Sequence, residues 1–143
     1  MLLVHATTVE IAGQGVLIRG PSGAGKSDLA LRLIDGGAVL VADDQTQLSL
    51  QGGRVVARAP DTIAGLLEIR GLGIVSVPHR PWAPLALVVD LVEEGGVDRL
   101  PEPSLAHLLG LAVPRMDLAP FQASAAAKVR LAILSAKRDI MRS

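Results

Sequence analysis

The sequence contains no cysteine, which excludes disulfide bonds, thiolate catalysis and cysteine-based zinc sites. Aromatic residues are nearly absent, because Trp82 and Phe121 are the only two. Proteins that bind single-stranded nucleic acid stack bases on exposed rings, and this chain offers almost none. Lysine plus arginine and aspartate plus glutamate both number 14, so no basic field attracts nucleic acid either. We therefore expect no nucleic-acid partner.

Long hydrophobic runs and targeting signals are also missing. The N-terminus, MLLVHATTVE, has neither the basic region nor the long apolar stretch of a secretory signal. No apolar run reaches the roughly 20 residues that a transmembrane helix needs. We expect a cytoplasmic protein that does not associate with membranes.

Aliphatic residues, rather than aromatic ones, supply the hydrophobic side chains of the core. Half of the 143 residues are hydrophobic, and leucine, valine, isoleucine and alanine must build the core. One domain is the default for a chain of this length, so we expect a single domain over residues 1–143.

A glycine-rich segment after an apolar strand is the most informative part of the sequence. The strand covers Val16 to Ile18, and the following segment fits G-x-x-x-x-G-K-[ST], the phosphate-binding loop or P-loop. In such a loop glycines let backbone N–H groups turn toward phosphate oxygens, the lysine reaches the phosphates, and the hydroxyl reaches Mg²⁺. The candidate nucleotide-binding residues are Gly20, Pro21, Ser22, Gly23, Ala24, Gly25, Lys26, Ser27 and Asp28.

The alternative is a glycine-rich turn that fits the pattern by chance. The surrounding sequence argues against chance, because a helical segment from Gly25 to Ile34 follows the loop directly. The N-terminus of that helix would add unpaired N–H groups and a favourable dipole for an anion. We therefore predict a nucleotide site that uses Mg²⁺.

Two apolar strands end in carboxylates that could serve this site. Ala38 to Ala42 is followed by Asp43 and Asp44, and Leu85 to Val89 is followed by Asp90. A carboxylate in that position of a P-loop protein acts as a base or helps to hold Mg²⁺. An aspartate pair also initiates turns, which is the structural alternative. Hydrophobic periodicity does not decide between the two strands.

Two histidines, His5 and His79, lie in segments that could contribute to a site. His5 lies in the first strand, where the pattern alone favours a half-buried structural side chain. His79 lies in a proline-punctuated loop, and no other histidine has suitable spacing for a shared metal site. Neither histidine is assigned a function by its pattern.

The remaining segments predict further strands and helices. They are a hairpin over 2–18, a hairpin over 47–58, a short helix over 105–109 capped by Ser104, an edge strand over 113–118 and a helix over 124–140. In the last helix an apolar stripe is typical of a core face or a surface between subunits. Its members are Val129, Ile133, Ala136 and Ile140.

Four segments together resemble the catalytic domain of the HPr kinase/phosphorylase family. They are the strand with His5, the loop GPSGAGKSD at Gly20 to Asp28, the strand LVADD at Leu40 to Asp44, and EIRGLGIVSV at Glu68 to Val77, which looks like the family signature. The resemblance implies an α/β, P-loop-containing fold like the nucleotide-binding domain of phosphoenolpyruvate carboxykinase, with a mixed sheet. It also implies transfer of the γ-phosphoryl group of ATP to a seryl residue of the phosphocarrier protein HPr.

The resemblance further implies roles for individual residues. Asp43 corresponds to the general base that accepts the seryl proton, and Asp44 assists it, which leaves Asp90 outside the site. Ser27 and Glu68 correspond to the residues that hold Mg²⁺. The implied catalytic residues are His5, Lys26, Asp43 and Asp44.

The chain departs from the family pattern at three places. Bifunctional members carry an additional N-terminal domain that this sequence does not, and their loop continues with glutamate where Asp28 stands. They also carry an arginine-bearing P-G-R stretch tied to phosphorylase action, whereas residues 118–130 read LAPFQASAAAKVR. We therefore expect kinase activity and leave phosphorylase activity open. We also expect a homo-oligomer, because the resemblance implies the hexameric assembly of the family.

Two other functions fit parts of the sequence. An ATP-sensing protein without catalysis would keep the P-loop and regulate a partner by contact. A small-molecule kinase or nucleotide hydrolase would use Asp90 as its magnesium-side carboxylate. Replacement of Asp43 or Asp90 by asparagine separates this last function from transfer to HPr.

Overall fold

The computed structural model describes the backbone of residues 1–142 and the side chains up to Ser135. Its described residues form a nine-stranded sheet, a separate two-stranded hairpin and two α-helices. The sheet contains β1 (Leu2–Val4), β2 (Ala6–Ile11), β3 (Gln14–Arg19), β4 (Val39–Ala42), β5 (Thr46–Gln51), β6 (Arg54–Arg58), β9 (Ala83–Leu91), β10 (Ser104–Leu108) and β11 (Leu111–Leu118). The separate hairpin is β7 (Leu66–Ile69) with β8 (Gly73–Ser76), and the helices are α1 (Lys26–Asp35) and α2 (Ala125–Arg142).

Strand β9 lies at the centre of the sheet. It pairs in parallel with β3 and with β11, and its first residues pair antiparallel with β6. The continuous order is β1-β5-β6-β9-β3-β2-β4, and β10 lies beyond β11. Parallel and antiparallel pairs thus share one sheet, which confirms the predicted α/β fold with a mixed sheet.

The core occupies both faces of strand β3. Ile18 packs on one face with Leu29 of α1 and Ile133 of α2, whereas Leu17 packs on the other face with Leu48. Successive side chains of a strand point to opposite faces, so a strand covered on both faces reads as a continuous apolar run. A fully buried leucine or isoleucine stabilises the fold by roughly 1.5–3 kcal/mol. The P-loop therefore starts from a strand that is fixed on both sides.

The first predicted strand is divided at His5. Strand β1 pairs with β5, whereas β2 pairs with β3 on one side and with β4 on the other. The chain bends at His5 because the two strands join different parts of the sheet. This bend brings His5 beside the segment that follows β4.

The predicted short helix over 105–109 is wrong, because these residues belong to β10 and a turn. Burial alternates along β10, with Ala106 and Leu108 buried and Leu105 exposed, which is the period of a strand. Leu109 and Gly110 both have positive φ, at 51° and 82°, as expected for a tight two-residue hairpin turn. The glycine that suggested a helix end instead forms this turn to β11.

The predicted edge strand over 113–118 is β11, which is not at the edge. It lies between β10 and β9. Pro114 pairs with Leu105 of β10, and pairing with β9 begins only at Arg115. At Pro114 the strand therefore has one neighbour, and this explains how the sheet accommodates a residue that lacks an N–H donor.

Helix α2 uses its apolar stripe to cover the sheet. Val129 and Ile133 are buried in the cluster that also contains α1, which confirms a core face for this part of the helix. Ala136 and Ile140 lie outside the residues whose side chains are described. Within the described part of the chain, no helix has the length and hydropathy required to cross a membrane.

Candidate active site

The P-loop connects β3 to α1 and has the backbone that its sequence requires. Gly23 and Gly25 have φ values of +81° and +101°, which residues with a Cβ rarely adopt. Lys26 is only 6% exposed, and its ammonium donates to the carbonyl oxygens of Gly20 at 2.8 Å and Pro21 at 3.1 Å. The lysine charge is therefore held against the loop.

Asp43 lies beside Ser27 at the start of α1. The Ser27 hydroxyl donates to Asp43 Oδ1 at 2.7 Å, and the Thr7 hydroxyl donates to the same oxygen at 3.0 Å. Asp43 Oδ2 accepts from the backbone N–H of Glu68 at 3.0 Å. The carboxylate is only 6% exposed, so three donors from β2, α1 and β7 compensate its burial. The structure thus brings Ser27, Asp43 and Glu68 together.

Asp44 is exposed to solvent, whereas the preceding Asp43 is buried. Its φ is +66°, which is uncommon for a residue with a side chain. Its N–H donates to the Thr7 hydroxyl at 3.1 Å, and its Oδ1 lies 2.6 Å from His5 Nε2. Both side chains of this pair are substantially exposed, at 47% for His5 and 60% for Asp44. The predicted His5 and Asp44 therefore form an exposed pair beside Asp43.

One cavity of about 520 Å³ collects most of the predicted site residues. Its lining includes Ser22, Gly23, Gly25, Lys26, Ser27, Asp28, Asp43, Asp44, Glu68 and Arg70. Pro21 and Ala24 line a neighbouring cavity instead, and Gly20 receives the hydrogen bond from Lys26. The loop and the carboxylates thus face each other across one space, which we name the phosphate cavity.

The donors in the phosphate cavity fit Mg²⁺. The ion prefers hard oxygen ligands, and Ser27 and Glu68, which carry such oxygens, both line this space. Among the described residues, no group of three or more His, Cys, Asp or Glu side chains is arranged to hold a metal. One hydroxyl and one carboxylate suit an ion that takes its other ligands from phosphates and water.

Asp90 is not brought to this cavity. Its carboxylate accepts from Arg19 Nε at 2.7 Å and Arg19 Nη2 at 2.9 Å, and Arg115 Nε lies 2.7 Å away. Burial alone would raise the pKa of the Asp90 carboxyl. The hydrogen bond and charge of Arg19, with the charge and hydrogen bond of Arg115, outweigh burial and hold that pKa below its usual range. The Asp90 carboxylate is therefore neutralised within the sheet.

Two further residues near the site were missed by the sequence analysis. Thr7 is fully buried and joins Asp43 to the backbone of Asp44. Phe121 borders the phosphate cavity from the loop before α2. The available signals were a threonine two positions after His5 and one of only two aromatic residues, but neither belongs to a motif.

Arg130 ends the segment over 118–130, where the sequence lacks the P-G-R stretch that the resemblance leads us to expect. Its guanidinium donates to the carbonyl oxygens of Arg32 at 3.2 Å and Leu33 at 3.4 Å, in the last turn of α1. It therefore stabilises a helix C-terminus, and it does not line the phosphate cavity.

The β3–loop–α1 connection and the facing carboxylates define a P-loop protein with a Ser–Asp pair at the phosphate end. The chain belongs to the HPr Serine kinase C-terminal domain family, whose model matches residues 1–128.

Curated relatives carry the name HPr kinase/phosphorylase. The chain is 38% identical to the one from Geobacillus thermodenitrificans over 130 residues, which cover 80% of this chain and 41% of the relative. It is 33% identical to the one from Mycoplasmopsis pulmonis over 127 residues, again 80% and 41%. The matched parts are thus less than half of these relatives' length.

A solved structure is also similar over nearly the whole chain. It is the Hpr(Ser) kinase/phosphatase from Coxiella burnetii, with a TM-score of 0.86 and 26% identity. The match covers 99% of this chain and 96% of that one. The family expected from the four sequence segments is therefore confirmed.

Proposed function

We propose that this chain is the phosphoryl-transfer domain of an ATP-dependent protein serine kinase that acts on HPr. The observation that carries the proposal is the 2.7 Å hydrogen bond from Ser27 to Asp43, which joins the phosphate end of the P-loop to the candidate base. Membership in the HPr serine kinase family and the names of its relatives support HPr as the substrate.

Asp43 is the proposed general base. Its Oδ1 accepts two hydroxyl hydrogen bonds, whereas Oδ2 accepts one from Glu68 N–H and keeps a second lone-pair direction. In the proposed step the seryl oxygen of HPr bonds to the γ-phosphorus and the bond from that phosphorus to the β–γ bridging oxygen breaks. The seryl proton passes to Asp43, and ADP leaves.

The residues around Asp43 bind and position the reactants. The P-loop N–H groups and Lys26 hold the phosphates, where positioning and charge stabilisation dominate phosphoryl transfer. Ser27 and Glu68 would hold Mg²⁺, which when bound neutralises charge on the phosphates. The exposed Asp44–His5 pair lies beside Asp43, and its proposed role is to orient the segment that carries this base.

The forward reaction is favoured over phosphorolysis. The family's phosphorylase action is tied to an arginine-bearing P-G-R stretch that the sequence of residues 118–130 lacks, and Arg130 of this segment holds the end of α1. We include in the proposal a cytoplasmic location, a single functional unit over residues 1–143 and a homo-oligomer with the family's six subunits. Exposed Leu131 and Leu134 on α2 are consistent with a surface between subunits.

The test is a transfer assay run in both directions. Purified chain is incubated with Mg²⁺, γ-labelled ATP and HPr, and the control is HPr whose acceptor serine is replaced by alanine. We expect label on HPr and none on the control. In reverse, seryl-phosphorylated HPr is incubated with phosphate, and we expect little loss of the phosphoryl group.

Two outcomes would contradict the proposal in different ways. ATP binding without label on HPr would leave an ATP-sensing protein as the better function. Label on a small molecule in place of HPr, abolished by Asp90→Asn, would favour the small-molecule kinase.

A further inference from the structure

A second cavity lies on the other side of the P-loop. It has a volume of about 470 Å³, within the range of small-molecule sites. It shares Ser22, Gly23 and Phe121 with the phosphate cavity, so the two spaces meet at the loop. A ligand whose phosphates lie on the P-loop could therefore extend into this second cavity.

The lining of the second cavity is unsuited to an anion. Its walls are formed by apolar residues such as Leu91, Val92 and Pro120, and its charged side chains are those of Glu93 and Glu94. The described residues that line it include no lysine, arginine or histidine. Apolar walls with carboxylate acceptors suit a flat, uncharged ring system that carries N–H donors.

Phe121 stands at the boundary of the two cavities. The residue is 73% exposed, and it is one of only two aromatic residues in this protein. The ring lies against the P-loop, because a Cβ added at Gly25 would come within 2.9 Å of Phe121 Cζ. One edge of the ring is thus fixed on the loop while much of its surface remains accessible.

The loop that carries Phe121 is attached to the P-loop helix. Arg32 of α1 donates to the carbonyl oxygen of Pro120, and also to that of Gln122 at 3.5 Å. These bonds hold the backbone on both sides of Phe121. Such preorganisation lowers the entropic cost of binding a ligand against the ring.

We propose that the second cavity binds the purine base of the nucleotide, with Phe121 as a stacking surface and Glu93 or Glu94 accepting from the exocyclic amino group. This inference rests on the proposed use of ATP. It assigns base recognition to Phe121 and to the turn that follows β9. Phe121 thereby joins the base site to the P-loop.

The test compares ATP with inorganic triphosphate, which has the phosphates but no base. Affinities of both ligands are measured by calorimetry, with Mg²⁺, for the wild type, Phe121→Ala and Trp82→Ala. The last is the matched control, since Trp82 is the other aromatic residue and is also exposed. We expect Phe121→Ala to weaken ATP binding by roughly tenfold, as the loss of one base–aromatic stack predicts. Triphosphate binding should be unchanged, and Trp82→Ala should affect neither ligand.

The possible results separate the base site from the proposed function. An equal loss of ATP and triphosphate binding in Phe121→Ala would overturn the inference, because the ring would then act on the P-loop alone. Unchanged ATP binding in this variant, with normal transfer to HPr by the wild type, would overturn the base site and leave the function intact. A wild type that binds neither ligand would overturn both. Thermal melting of each variant confirms that the fold is retained.

Discussion

Strands β4 and β9 both pass through the core, and both lead to an aspartate. Asp43 follows β4 and meets two hydroxyl groups and one backbone N–H, all of them uncharged donors. Asp90 lies near the end of β9 and meets two guanidinium groups, from Arg19 and Arg115. The same residue type at the end of a similar strand therefore has different chemistry in the two places.

The difference between these two environments determines what each carboxylate can do. An arginine pair satisfies the charge of Asp90 and stabilises its ionised form, so that it is a poor proton acceptor. The donors to Asp43 carry no charge and so do not neutralise this carboxylate, which lies beside the P-loop, where our proposal requires a proton acceptor. Charge compensation, more than position on a strand, separates the structural carboxylate of Asp90 from the proposed base Asp43.

The largest expected effect comes from Asp43→Asn. The amide keeps the shape and some hydrogen bonds but does not accept a proton, so we expect transfer to HPr to fall by about 10²–10⁴-fold. ATP affinity should stay close to that of the wild type, because the P-loop is unchanged. The measurements are kcat with labelled ATP and the Kd for ATP by calorimetry.

Asp90→Asn is the control for this comparison. The chemical change is the same, but we expect kcat within about twofold of the wild type, because this carboxylate is outside the phosphate cavity. Near-normal turnover by Asp43→Asn together with a collapse in Asp90→Asn would reverse the assignment. It would make β9 the strand that supplies the catalytic carboxylate.

The sequence predicted the parts of this comparison that depend on neighbours along the chain. Val16–Ile18, the P-loop and α1 are consecutive, so the motif and the hydrophobic pattern define them together. Resemblance to a family then favoured the Asp43–Asp44 pair over Asp90. Periodicity alone did not, because both strands are covered by other elements and both read as apolar runs.

The remaining features depend on contacts between distant residues. Thr7 and Asp43 are 36 positions apart, and Arg19 and Asp90 are 71 positions apart. No local pattern records such a pair, so neither Thr7 nor the neutralisation of Asp90 could be predicted. The error over 105–109 has another cause, because a glycine after a short apolar segment is equally typical of a helix end and of a hairpin turn.

Thr7→Val tests whether the hydrogen bond from Thr7 is needed to orient Asp43. Valine keeps the shape of threonine but removes the hydroxyl that donates to Asp43 and accepts from Asp44 N–H. We expect kcat to fall by roughly tenfold because Asp43 is less firmly oriented. KM for ATP should change little, since Thr7 does not line the phosphate cavity.

Thr7→Ser is the matched control for this variant, because it restores the hydroxyl and removes only a methyl group. We expect it to recover most of the lost kcat. Equal losses of kcat in the serine and valine variants would show that packing, rather than the hydrogen bond, makes Thr7 important.

The smallest expected effect concerns the stability that Asp90 provides. Its folded-state pKa is held below the unfolded value of about 4, so its contribution is fully present above that pH and is lost as the pH falls through the folded-state pKa. We expect Asp90→Asn to lower the free energy of unfolding by about 1 kcal/mol at neutral pH, a modest value because Arg19 and Asp90 are partly exposed and solvent screens the pair. Urea unfolding measured across the acid range should show that the difference in the free energy of unfolding between Asp90→Asn and the wild type becomes smaller below about pH 4. A difference that stays constant with pH would mean that the arginine pair does not stabilise the ionised Asp90 carboxylate.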